Sequence, residues 1–218
     1  MQTEKGQSIE DQSMQIIEAE IGTHQYNKLE WPIVRRVIHA TADFDFAKEN
    51  KIIFSKSAIE SGIAALKAGC NIIVDVNGVL GGLNKQNLKD FGCNVICNIS
   101  NPQIVQEAKK YNKTRAQTSM RMAASEMKGG IVVIGNAPTA LLEVIQMVKE
   151  GITTPALIIG IPVGFVSSPE SKEALQSLDV PYITNVGRKG GSPCASAIVN
   201  ALFKLLKERI SKSNWNYR

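Results

Sequence analysis

Only two histidines, His24 and His39, occur among 218 residues, so any chemistry that needs an imidazole has two positions to choose from. The four cysteines, Cys70, Cys93, Cys97 and Cys194, include no CxxC pair and have no histidine pair beside them, so no metal site is expected. Small inward-facing thiols in a reduced, cytoplasmic setting are the simpler expectation. No stretch reaches the roughly twenty apolar residues that span a bilayer, and no apolar leader opens the chain, so no membrane partner is expected. The chain also lacks a GxSxG elbow, a GxxxxGK[ST] phosphate loop and a GxGxxG turn followed by a ribose-binding acid. Those absences remove the usual sequence signals of α/β-hydrolases, P-loop enzymes and dinucleotide-dependent enzymes. Basic residues outnumber acidic ones by 25 to 20, a net charge of +5, but they are scattered. Such a surface suits a small anionic ligand or plain solvation. Without a basic-aromatic motif or zinc-finger spacing, nucleic acid is not an expected partner.

What is present reads as one globular domain over residues 1–218, with 44% hydrophobic and 21% charged residues. SIEDQSMQIIEAEIG places Ile9, Met14, Ile16, Ile17 and Ile21 at helical spacing between acids, with Ser13 inside the helix. Trp31-Pro32 opens a second helix whose apolar stripe is Ile33, Val34, Val37 and Ile38. His39 lies three residues beyond Arg36 and four beyond Arg35, which sets the three off that stripe as one polar site. The arginines would depress the imidazole's pKa, and Asp43 or Asp45, folding back, would raise it. Such a histidine can exchange a proton near neutral pH, although a structural role is equally compatible with the spacing. His24, in a loop-like THQYNK stretch, reads as an exposed residue.

Beyond His39, short apolar segments alternate with helices. CNIIVDVNGVLGG is a strand entering an Asn/Gly loop, NVICNISNP a second strand, and IVQEAKKYNKTRAQTSMRMAASEMKGG a long helical region. Three further strand, loop and helix units follow, ending in VPYITNVGRKGGSPCASAIVNALFKLLKERI. That alternation predicts an α/β fold: a doubly wound, mainly parallel sheet with helices on both faces. Ligands bind such sheets at the carboxyl ends of the strands. There the chain offers loops at 75–78, 135–139, 162–165 and 187–192. GRKGGS, with exposed backbone N–H groups, a following helix start, Arg188 and Lys189, suits an anion such as a carboxylate; a tight turn plus helix cap explains it equally well.

The segments RRVIHATAD, GNAPTAL, GIPVGFVSSPESKEAL and NVGRKGGSPCASAIVNAL, spread over nearly the whole chain, resemble the precorrin-8X (cobalt-precorrin-8) methylmutase family of corrin biosynthesis. The resemblance implies a flavodoxin-like fold, a homodimer, no separate cofactor and an isomerisation in which a methyl group migrates on ring C. The products would be hydrogenobyrinate or its cobalt counterpart, with any cobalt carried by the substrate. It puts the general acid on His39 and substrate contacts on Ser13 and Arg36. A polyanionic tetrapyrrole with a broad apolar face would also make use of Arg115, Asn136, Thr139, Arg188 and Ser192 as carboxylate contacts. Asn136 and Thr139 have a second reading as helix caps, and Arg188 as a solvated charge. Two alternatives stand beside this: a non-catalytic module that holds a tetrapyrrole or phosphate ligand, and a nucleotide-using transferase built on GRKGGS.

Overall fold

A computed structural model describes residues 3–49 and 51–215. Six strands form its sheet: β1 (Ile52–Phe54), β2 (Asn71–Val74), β3 (Asn94–Ile96), β4 (Ile131–Ile134), β5 (Leu157–Gly160) and β6 (Tyr182–Asn185). Their spatial order is β1-β6-β5-β4-β2-β3, with β1 antiparallel to β6 and every other pairing parallel. Leaving β1 aside, the parallel strands follow the 2-1-3-4-5 order of flavodoxin-like sheets, and the order reverses between β2 and β4. β1 is an addition that the apolar pattern does not signal, because three residues are too few to establish a period.

Side chains alternate across the sheet. Ile72, Val74, Ile131, Val133, Leu157 and Ile159 pack in a core with α2 (Trp31–Thr41), α3 (Ala58–Lys67) and α10 (Ser192–Trp215). Ile73, Val132, Ile134 and Ile158 face the other way, into a core with α7 (Arg115–Met122), α8 (Pro138–Lys149) and α9 (Ser168–Gln176). A strand covered on both faces must be apolar at every position, which is why β4 reads as the unbroken run IVVI. α1 (Glu4–Ile21) packs on α2, burying Met14 and Ile17 and leaving Ile9 and Ile16 exposed.

Two segments differ from expectation. The Asn/Gly loop after β2 is a short helix, α4 (Asn77–Gly82), followed by α5 (Lys85–Phe91). The long helical region is two helices, α6 (Pro102–Lys110) and α7. Asn112 in the left-handed region (φ 49°) breaks it, and a capping box between Thr114 and Gln117 restarts it. Among the described residues no helix is long and apolar enough to cross a membrane.

Candidate active site

The site is assembled where α1, α2, α4 and α10 meet. Glu18 of α1 accepts a hydrogen bond from the Trp31 indole N–H at 2.8 Å and another from Arg35, which fixes the start of α2. Glu10, two turns earlier, accepts from Arg36 at 2.7 Å, with the Lys204 ammonium of α10 at 3.8 Å. The two arginines therefore part company. Arg36 lines the concavity onto which His39 opens, and Arg35 does not, so the expected three-residue polar site reduces to Arg36 and His39.

That concavity, about 480 Å³, is lined by Arg36, His39, Gly82, Ser192, Ser196 and Asn200, among others. Its wall is a close approach of two helices. A Cβ on Gly82 would lie 2.4 Å from the Ser196 hydroxyl oxygen, and one on Gly78 would lie 2.8 Å from that of Ser192. Glycines four apart on α4 thus meet serines four apart on α10, and any larger side chain would separate the helices. Arg36 and Asn200 also line a larger groove of about 780 Å³, with Glu10, Lys204, Lys207 and Lys212 along its sides.

His39 is half buried. Burial and then the Arg36 charge hold its pKa below the ordinary 6.5, while the Glu10 carboxylate pulls the other way. Asp43 and Asp45 do not fold back onto it. Both accept from the Lys189 ammonium, at 2.8 Å and 2.6 Å, which ties the segment after α2 to the loop that precedes α10. Burial opposes ionisation of Asp43, but Lys189 and the Asp45 backbone N–H outweigh it and hold that carboxyl below its usual range.

At the strand ends, buried Asp75 follows β2 and accepts from the backbone N–H groups of Gly135, Asn136 and Ala137, at 3.0, 2.8 and 2.8 Å. Burial pushes its carboxyl upward, against those three donors. The pair of loops that flank the switch point are joined through this one side chain.

Residues 8–205 match the sequence profile of the precorrin-8X methylmutase family. This chain belongs to that family. It is 47% identical over 215 residues to the cobalt-precorrin-8 methylmutase of Leptospira interrogans, covering 95% of this chain and 97% of that one. It is 35% identical over 199 residues to the precorrin-8X methylmutase of a Sinorhizobium species, covering 90% and 93%. The crystal structure of precorrin-8x methyl mutase from Thermus thermophilus superposes with a TM-score of 0.87 at 41% identity, covering 94% of this chain and 98% of that one.

Ser192 joins His39 and Arg36 in the concavity. Ser13 is half buried on α1 and donates its hydroxyl back to the Ile9 carbonyl at 2.8 Å. Arg115 is exposed in the first turn of α7. Asn136 has an exposed side chain and does not cap α8, whose N-cap is Ala137. The Thr139 hydroxyl bonds that of Thr114 at 3.0 Å instead of serving as that cap. Arg188 lies over the Phe165 ring, 5.5 Å from its centroid. Arg115, Asn136, Thr139 and Arg188 do not line the His39 concavity. His24, expected exposed, is half buried and stacks on Trp31 with centroids 3.9 Å apart.

Three residues that line these two cavities went unread in the sequence: Glu10, Ser196 and Asn200. A signal was available for two. Ser192, Ser196 and Asn200 recur every four residues on one helix, a polar stripe down the otherwise apolar first half of α10. Glu10 carried none, since nothing in a helix of scattered acids says which one turns toward an arginine of the next helix.

Proposed function

We propose that this chain is a methylmutase that isomerises cobalt-precorrin-8, moving one methyl group on ring C of the macrocycle, with His39 as general acid. The observation that carries the reading is His39 and Arg36 opening side by side on a concavity continuous with a groove of lysines, within a chain matched to the family from residue 8 to 205. A methyl shift needs no nucleophile. The protein has to hold one conformation of the ring and deliver a proton that polarises the conjugated system toward migration. One imidazole supplies that proton, and the reading calls for no cofactor of the enzyme's own. The higher identity to a relative named for the cobalt complex than to one named for precorrin-8X supports the cobalt-bearing substrate.

Ionic contacts follow from the same geometry. Substrate carboxylates approach Arg36 and the α10 lysines, while the GRKGGS loop and Ser192 offer backbone and hydroxyl donors. Ser13, Arg115, Asn136, Thr139 and Arg188 contribute further polar contacts around the rim. A carboxylate settling on Arg36 offsets the charge that depresses His39 and returns the imidazole toward its protonated form. Binding and activation of the acid are thereby linked.

A second copy of the chain completes the enzyme in this reading, which places it in the cytoplasm. Phe165 and Val166, each 82% exposed, and Ile9 and Ile16, each 56% exposed, are apolar surface that a partner of the same sequence would cover.

The deciding experiment incubates the protein with cobalt-precorrin-8 and, separately, with metal-free precorrin-8X, following the visible spectrum. Conversion of the cobalt complex alone supports the full reading. Conversion of the metal-free ring alone reverses the substrate assignment. Binding of both without conversion replaces the enzyme by a tetrapyrrole-binding module.

A further inference from the structure

Lys172 sits on α9, on the far side of the Gly187–Gly191 loop from solvent, and is 1% exposed. A buried ammonium ordinarily has a carboxylate beside it. This one has none. Its Nζ donates to the backbone carbonyls of Gly187 at 2.8 Å and Lys189 at 2.6 Å. The Asn185 amide nitrogen donates to the carbonyls of Val186 and Lys189, both at 2.9 Å, and the Gly164 N–H to that of Arg188 at 3.1 Å. Four successive carbonyls, 186 to 189, are thus held by the protein. Among the described residues, the N–H groups of Gly187, Arg188, Lys189 and Gly190 have no acceptor. The loop is also pressed hard onto the end of β5: a Cβ at Gly190 would stand 2.5 Å from the Ile161 carbonyl oxygen. It has little room to turn its peptides by itself.

We propose that Lys172 is a positioning residue for this loop: its ammonium holds the Gly187 and Lys189 carbonyls inward and so leaves the loop's N–H groups for the carboxylates of the substrate. The role rests on the methylmutase reading above and deepens it by naming what organises the binding loop. A lysine suits the task better than an apolar residue because one charged group with three donors can hold two carbonyls that point at the same place. From the same loop, the Lys189 side chain reaches Asp43 and Asp45, just after the helix that carries His39. Lys172 therefore also underlies the strap between the loop and the acid's helix.

The charge gives the proposal a test that needs no substitution. Burial lowers the Lys172 pKa from 10.5 to about 8. Cys194 of α10 is the titratable group acting on it, and burial raises that thiol to about 12, so it stays neutral as Lys172 discharges. Lys189, in the loop itself, has its ammonium turned to the two aspartates. The sign separates loop loosening from unfolding. Between about 8 and 10.5 the unfolded chain holds more protons at this position than the folded one, so its contribution to stability rises with pH. Loosening confined to the loop in that window is not incipient denaturation.

The experiment measures amide hydrogen exchange for the full chain at pH 7 and 9, and exchange and steady-state kinetics on cobalt-precorrin-8 for the parent and Lys172→Met at pH 7. Expected for the variant are an increase in KM of about tenfold with kcat within about threefold, and exchange at 186–192 faster by about tenfold while the β4 amides are unchanged. In the parent protein, exchange at 186–192 taken relative to the β4 amides should quicken the same way, by less, between pH 7 and 9. The proposal is overturned if exchange rises evenly through the sheet, if loop exchange and KM are indifferent to the substitution, or if the variant's kcat at pH 7 falls with KM unmoved. A parent inactive on both forms of the ring overturns the methylmutase reading, and the exchange arm still decides what the lysine does.

Discussion

Two carboxylates in this molecule each gather two cations, and their surroundings differ. Glu143 of α8, with a side chain 5% exposed, accepts from Arg121 of α7 and from Lys113 at 3.1 Å. Glu10 of α1, 14% exposed, accepts from Arg36 at 2.7 Å with Lys204 at 3.8 Å. In sequence the two sets are alike: an acid on one helix, bases on others. In space, the first fastens α7 to α8 away from both large cavities, whereas the second borders a groove lined by further lysines. The Glu143 cations line neither cavity. Those at Glu10 line an open groove. The two ion pairs differ in placement, one between packed helices and one at the edge of a groove, a property that charge pattern does not carry.

Substitutions at the two regions should separate along two axes. The largest effect expected is on turnover: His39→Ala should lower kcat by about 10²- to 10⁴-fold, the usual contribution of a general acid, with ligand affinity within a few-fold by spectral titration. Equal turnover in parent and variant would make His39 structural. Glu143→Ala should leave turnover alone and lower stability in urea by about 1–3 kcal/mol, discounted because both partner cations are more than a third exposed. If it alters KM instead, the contrast between the regions collapses. Gly82→Ala should cost about 1–2 kcal/mol by forcing α4 from α10, and should raise KM because the displaced helix walls the concavity.

The smallest effect is also the most specific. His39 must be protonated to act as an acid, so kcat/KM should fall as pH rises through a pKa below 6.5. Glu10 is the group that raises that pKa. Glu10→Gln should therefore shift the falling limb to lower pH, by less than about one unit. A shift to higher pH would mean that Glu10 is not the carboxylate facing His39. Folding responds with the opposite requirement: the folded state favours the neutral imidazole, so this group's contribution to stability is lost as pH drops below 6.5.

The alternation of strands and helices was legible because doubly covered strands cannot hide: NIIV, IVVI and LIIG have no polar face. β1 was not, because three residues carry no period, and α4 was not, because NGVLGG is made of residues that usually mark turns. Its helix exists for the sake of its glycine face, which only α10 explains. Within the site, His39 and Arg36 could be paired from helical spacing alone. The parting of Arg35 from Arg36 could not, since it depends on which acids of α1 turn inward. Nor could the engagement of Asp43 and Asp45 by Lys189, a residue 146 positions away from the first of them. Spacing along one helix is local information; the choice of partner across helices is made by packing.

The switch point of a doubly wound sheet is a socket for anions, and in this protein the socket is already plugged. Asp75 brings its own carboxylate to the three N–H groups at the end of β4 that would otherwise greet a ligand's. It behaves as a tethered, permanently bound ligand at effectively unlimited concentration, and a free carboxylate cannot compete with it for those donors. The next loop along, beside α10, keeps its N–H groups without a partner among the described residues. His39 stands there too, on a helix that belongs to no strand of the parallel sheet.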